Sequence, residues 1–187
     1  INTEAPFVFR MMDASCKKAL LDLGCVDVPS EEYHRGHLYF ESESPPAVLN
    51  SPMLQEGWIY IQDPATSTPL SLLDDAFTPK NALDACAAPG GKTLMLSEAF
   101  PDASIVAMDR SIRRVRRLKH NLRFRKNAIP MVGDVSDSPF HPASFDLVLL
   151  DVPCSNTGVI RKRPDARWTF STQNLGALVD LQRKLLD

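Results

Sequence analysis

No two of the four cysteines (Cys16, Cys25, Cys86, Cys154) stand as a Cys-x-x-Cys pair, and the four histidines are equally scattered. That spacing argues against a zinc site and against a disulfide framework, so no metal is expected and a reducing cytoplasm fits. Long apolar runs are missing as well. None exceeds four residues, as at Leu147–Leu150, where a membrane helix needs about 20. The opening INTEAPFVFR carries neither a charged leader region nor an apolar stretch, so neither secretion nor a membrane is expected. A net charge of −2 announces no polyanion partner for the chain as a whole. Two nucleotide signatures are also absent. A P-loop ending at Gly91-Lys92-Thr93 needs glycine at position 86, where Cys86 stands, and adjacent Gly90 and Gly91 do not make G-x-G-x-x-G.

What is present is ordinary globular material. The 187 residues are 44% hydrophobic and 24% charged, enough for one buried core of normal size and a small appendage. Charge is unevenly placed. Nine of the 21 Lys and Arg residues fall between Arg110 and Lys126, making one local basic face.

The organising stretch is Asn81–Thr93, NALDACAAPGGKT. An apolar run enters a Pro-Gly-Gly turn, and Lys92-Thr-Leu-Met-Leu then opens a helical pattern. This strand, turn and helix start is the entry to a nucleotide-binding α/β domain. Gly90 and Gly91 allow positive φ and a close approach of backbone to ligand.

Residues 1–50 read as a small α+β accessory unit, with RNA gripping as one use and a structural cap as the other. It has strands at Pro6–Arg10 and His37–Phe40 and a helix over Ala14–Leu23 that buries Ala19, Leu20 and Leu23. Gly57–Asp63 reads as an entry strand of the second unit, residues 51–187, and Ser71–Phe77 as a short edge helix. Strands and helices then alternate, with strands at Ala103–Asp109, Ile129–Val132 and Phe145–Asp151. The last is continuously apolar, as a central strand covered on both faces would be. A helix over Ser111–Arg125 carries Ile112, Val115, Leu118 and Leu122 in one stripe, and a further helical pattern runs over Leu175–Leu186. The alternation predicts a parallel, doubly wound sheet. With four core strands before the chain stops, one edge is expected to lie open and the chain to be part of a longer protein.

Ligands of such sheets bind at the carboxyl ends of the strands. Those ends carry Asp109, Asp134 and Asp151. A carboxylate at Asp109 suits ribose hydroxyls, and one at Asp134 suits an adenine amine. A ribose acid without a P-loop suits an adenosyl group lacking phosphates, and S-adenosylmethionine is the natural candidate. In Asp151-Val-Pro-Cys154-Ser-Asn156-Thr-Gly, the cysteine leaves the ligand edge on a loop, where a thiol can serve as nucleophile or proton acceptor.

With DACAAPGGKT, IVAMD, Gly133-Asp134 and DVPCSNTGVIRKRPDARW together, the chain resembles the Sun/Fmu family of S-adenosylmethionine-dependent RNA (cytosine-5) methyltransferases, most of all its bacterial 16S ribosomal RNA members. The resemblance covers residues 50–187 well and residues 1–50 loosely. It implies a Rossmann-like class I methyltransferase sheet, incomplete here at its C-terminal edge. It also implies that Cys86, Ala87, Ala88, Pro89, Gly90, Gly91 and Lys92 wrap the methionine and ribose, with Asp109 on the ribose and Asp134 on the adenine. Arg114 falls where many members carry a cofactor-facing arginine, and Asp151 serves both cofactor and cytosine. In the family a later Thr-Cys cysteine attacks carbon 6 of cytosine, and the Pro-Cys cysteine, here Cys154, helps carbon 5 lose its proton. The Thr-Cys motif is not in these 187 residues. Asn156 and Val152 depart from the commoner small residues of that loop. Arg161, Lys162, Arg163 and Arg167 form a second basic cluster fit for phosphates of locally single-stranded RNA. Two other functions compete: a DNA cytosine-5 methyltransferase with Cys154 as its nucleophile, and a non-catalytic RNA-binding fragment.

Overall fold

The chain builds two sheets, each over its own apolar cluster. The structure is a computed structural model that describes residues 5–29, 36–162 and 165–186. In the N-terminal part, β1 (Phe7–Met11) is followed by a short 3₁₀ turn and α1 (Lys17–Asp22), then by β2 (Val26–Val28) and β3 (Leu38–Ser42). Asp13 caps the turn by accepting from the Ser15 amide at 2.8 Å. The buried face of this helical stretch is Cys16 and Leu20, whereas Leu23 is 40% exposed. The face therefore lies one step round from the expected one, because the first turn is 3₁₀ and shifts the phase. Two single-turn helices, α2 (Pro45–Leu49) and α3 (Pro52–Gln55), each begin with proline at the first position. They lead to β4 (Ile59–Tyr60).

These four strands form an antiparallel sheet in the order β2-β3-β1-β4. The stretch expected as an entry strand of the second unit thus pairs backwards onto β1, with Arg10 opposite Tyr60. Phe9, Leu20, Phe40, Val48, Met53 and Ile59 bury together behind it.

A 3₁₀ turn over 64–67 runs into α4 (Thr68–Ser71), and the chain then loops to residue 80. The short helix expected at 71–77 therefore ends where it was expected to begin. Leu73 and Phe77 of that stretch still pack against the core from the loop, while Leu72 is 81% exposed.

The second sheet is parallel, ordered β7-β6-β5-β8. It comprises β5 (Asn81–Asp84), β6 (Ser104–Asp109), β7 (Ala128–Val132) and β8 (Leu147–Leu149), with α5 (Gly91–Ala99) and α6 (Ile112–Asn121) as crossovers. Met95, Leu96, Ile105, Ala107, Leu118 and Leu122 form its core. Val115 also buries along α6, but Ile112 at its start is 60% exposed. Ser111 caps α6 from the Arg114 amide. Among the four strands present, the apolar 145–151 run forms β8 at the open edge of the sheet, and Val148 is 54% exposed. Apolar content reports what could be covered; strand order depends on long-range pairing that no local pattern encodes. The chain continues through α7 (Ala166–Thr169) into α8 (Thr172–Leu186).

Where the two sheets meet, Arg10 is fully buried. Its Nη1 lies 2.6 Å from Glu98 of α5 and 3.1 Å from His37 Nδ1. Glu98 also takes Arg125 at 2.5 Å, so one carboxylate joins both sheets.

Candidate active site

Every side chain expected to bind ligand sits at the carboxyl edge of the parallel sheet, placed there by the strand it follows. The turn after β5 is stitched down on both sides. The Ala85 amide donates to Leu149 O of β8, and the Ala87 amide to Met108 O of β6, both at 2.9 Å. The Ala88–Pro89 peptide is cis, and Gly90 caps α5 with φ +111°. Both glycines are also closely packed. A Cβ on Gly90 would lie 2.9 Å from Leu118 Cδ1, and one on Gly91 would lie 2.9 Å from Gln62 Nε2 and 3.1 Å from Tyr60.

Asp109 ends β6 with 2% exposure. It accepts from the Ser111 amide at 3.0 Å, the Ala88 amide at 3.3 Å and Arg114 Nη1 at 3.0 Å. Three of roughly four acceptor positions are in use, leaving one for an incoming hydroxyl and a second if Arg114 moves. Arg114 also donates to Ala88 O at 2.5 Å, tying the turn to α6.

Asp134 follows β7, exposed, and accepts from the Ser136 amide at 2.9 Å and the Ser136 hydroxyl at 2.8 Å. These bonds hold its carboxyl below the usual range. Asp151 follows β8, and Lys92 Nζ donates to it at 2.6 Å. Cys154 lies exposed on the next loop, its Sγ 3.8 Å from Asn156 Oδ1. Asn156 takes φ +58°, a conformation asparagine tolerates, which accounts for a non-small residue there. The Cys86 thiol is pushed up by burial and then by the charges of Asp109, Asp84 and Asp151.

One cavity of about 420 Å³ gathers Cys86, Ala88, Asp109, Arg114, Asp134, Asp151 and Cys154. Its volume falls in the range of small-molecule sites, about 300–1,000 Å³. Ala87, Pro89, Gly91 and Lys92 line instead a second cavity of about 270 Å³, which shares Cys86, Ala88 and Asp151 with the first. Gly90 lines neither. The sequence reading missed Leu181, Lys184 and Leu185 of α8, which wall the larger cavity, and Gln62 and Asp84 of the smaller. Asp84 had a visible signal, an acid inside an apolar strand. The α8 residues had none, since only tertiary packing brings them here. Of the second basic cluster, Arg161 and Lys162 are exposed and Lys162 pairs with Asp63. Arg163 and the Arg167 side chain lie outside the described residues. Among the described residues no cluster of metal-ligating side chains occurs, and no helix is long and apolar enough to cross a membrane.

A parallel sheet of this order, with its cavity at the strand carboxyl ends, is the Rossmann-like fold of methyltransferases. A family model described as 16S rRNA methyltransferase RsmB/F matches residues 73–187, and the chain belongs to that family. Ribosomal RNA small subunit methyltransferase B of Yersinia pseudotuberculosis serotype O:1b (strain IP 31758) is 39% identical over 150 residues, 77% of this chain and 34% of that protein. The Yersinia pestis bv. Antiqua (strain Angola) protein of the same name gives the same figures. The match thus spans about a third of these relatives' length. Among solved structures, the crystal structure of PH0851 superposes with a TM-score of 0.84 at 29% identity, over 99% of this chain and 43% of that one. NSun6 from Pyrococcus horikoshii with SFG shares the fold, with a TM-score of 0.75 at 18% identity over 97% and 71% of the two chains.

Proposed function

We propose that this chain is the cofactor-binding part of an enzyme that transfers a methyl group from S-adenosylmethionine to carbon 5 of a cytosine in RNA, with ribosomal RNA as substrate. The observation that carries the reading is the convergence of Asp109, Asp134 and Asp151 with Cys154 on one 420 Å³ cavity in a chain of this family. The cofactor, when bound, supplies an electrophilic methyl group on sulfur. The residues fit it: Asp109 would take a ribose hydroxyl, Asp134 the adenine amine, and Cys86 and Ala88 the wall beside the sulfur. Lys92 holds Asp151 at the junction of the two cavities, where the carboxylate would meet the cytosine edge. Cys154, exposed on the facing loop, would take up the proton that carbon 5 loses after methylation. The resemblance assigns the attacking thiolate to a Thr-Cys motif, which is not among these 187 residues. The substrate cytosine must leave its stack, so locally single-stranded RNA is the expected form. Four free thiols accord with a cytoplasmic setting.

Calorimetric titration with S-adenosylhomocysteine tests the cofactor assignment. The chain should bind, and Asp109→Ala should weaken binding about 10- to 100-fold, the worth of a lost hydrogen bond to a charged group. Equal affinity in a variant that melts as the parent does would refute it.

A further inference from the structure

The smaller cavity contains an unmet demand for hydrogen-bond donors. Gln62 is 8% exposed and Asp84 fully buried, yet Gln62 Oε1 and Asp84 Oδ1 have no partner among the described residues. Both residues line the same 270 Å³ space. A buried acceptor left unpaired costs about 1–3 kcal/mol, so two in one cavity call for a common donor. Each side chain is held so that the free oxygen cannot turn elsewhere. Asp84 Oδ2 takes the Thr93 hydroxyl at 2.6 Å. The Gln62 amide nitrogen points at Met95 Sδ at 3.2 Å and is wedged over Gly91. The cavity's own cation does not answer the demand, because Lys92 is committed to Asp151. Of the three acids around this space, Asp63 is paired with Lys162 and Asp151 with Lys92, which leaves the Asp84 carboxylate without a cation and favours a donor carrying positive charge.

We infer that the 270 Å³ cavity is an amino-group site, in which Gln62 Oε1 and Asp84 Oδ1 each accept an N–H from one primary amine of a bound ligand. The inference rests on the methyl-transfer reading, which brings two such amines to this edge of the sheet. One is the ammonium on the amino-acid end of the cofactor, and the other is the 4-amino group of cytosine. Either supplies the two N–H groups the geometry asks for. A carboxylate or a phosphate does not, and is repelled by the Asp84 carboxylate.

Two ligand pairs separate the sources, measured on the parent chain and on Asp84→Asn and Gln62→Met, each checked for an unchanged fold by its circular-dichroism spectrum and a single cooperative melting transition. S-Adenosylhomocysteine and 5′-methylthioadenosine share the nucleoside and sulfur, but only the first has the amine. Short RNAs with one cytosine or one uracil differ at the 4-amino group. If the cofactor supplies the amine, both variants weaken S-adenosylhomocysteine about tenfold or more and leave 5′-methylthioadenosine unchanged. If the base supplies it, both cofactor ligands bind as before, and the parent's preference for cytosine over uracil RNA is lost in both variants. Unchanged affinities for all four ligands in either folded variant overturn the inference while leaving the methyl-transfer reading intact. A parent chain that binds neither nucleoside ligand refutes that reading and this one with it.

Discussion

Replacing Asp84 by Asn should stabilise the fold at neutral pH and not in acid. Asp84 is fully buried at the end of β5, and the Thr93 hydroxyl is its one hydrogen-bond partner among the described residues. Burial is the main force that raises its carboxyl from 3.8 to about 6; nearby Asp151 adds to this, and the Thr93 bond and Lys92 oppose it. The folded chain therefore holds this proton more tightly than the unfolded chain between those two values. Stability from this group is complete below pH 4 and is lost as pH rises through 6. Two decades of proton concentration correspond to about 3 kcal/mol. The amide has the same shape, keeps an acceptor for Thr93 and never ionises. It puts an unpaired donor where an unpaired acceptor stood, a change of about 1 kcal/mol that does not vary with pH. The variant should then gain about 2–3 kcal/mol over the parent at pH 7.5 and nothing at pH 4, or about 4–12 °C in Tm for a chain of this size. Urea unfolding of both proteins in steps from pH 4 to 8 measures the gap directly. Parallel curves, or a gap that widens toward acid, would show that Asp84 is solvated or paired.

The other expectations concern packing, the sheet junction and the basic face. Gly90→Ala meets both a φ of +111° and Leu118 Cδ1 at 2.9 Å, so urea unfolding should show a loss of about 2–4 kcal/mol; a loss under about 0.5 would refute the packing argument. Glu98→Leu strands the buried Arg10 guanidinium and should cost about 3–5 kcal/mol, while the double variant Arg10→Met/Glu98→Leu recovers most of it. A double variant no better than the single would deny that the stranded charge is the cause. Arg113, Arg116, Arg117 and Lys119 are exposed on α6. If they hold RNA phosphates, changing all four to Gln lowers the salt slope of RNA binding by about 3. An unchanged slope would make them a solvated face.

Local pattern made the carboxyl edge of the parallel sheet legible. The Asn81–Thr93 stretch is a strand, turn and helix start, as its apolar run and adjacent glycines predicted. Asp109, Asp134 and Asp151 share one edge because each follows its strand directly, and a parallel sheet aligns such positions. What depended on partners distant in sequence was not legible. The strand at 59–60 turns back onto β1, because strand order follows pairing rather than composition. The glycines are legible as special, and Gly90 takes the positive φ expected of it, but the atoms that crowd them, Gln62, Tyr60 and Leu118, come from other elements and leave no local sign. Asp84 was passed over because three apolar neighbours make its stretch read as plain core.

The smaller cavity shows why the junction between the sheets matters to chemistry. Gln62 follows the last strand of the antiparallel sheet, and Asp84 ends the central pair of the parallel one. Their two free oxygens can serve one amine only if the sheets hold a fixed spacing. Contacts across the junction set it: Glu98 clamps Arg10 and Arg125, Asn121 donates to the Tyr60 hydroxyl at 3.4 Å, and Lys162 pairs with Asp63. Loss of the buried clamp should therefore reach the cavity as well as the stability. In Arg10→Met/Glu98→Leu, with stability restored, the contribution of Gln62 and Asp84 to ligand affinity should fall, so that Asp84→Asn in that background weakens its ligand less than in the parent. Full additivity of the two effects would mean that the cavity keeps its shape without the clamp.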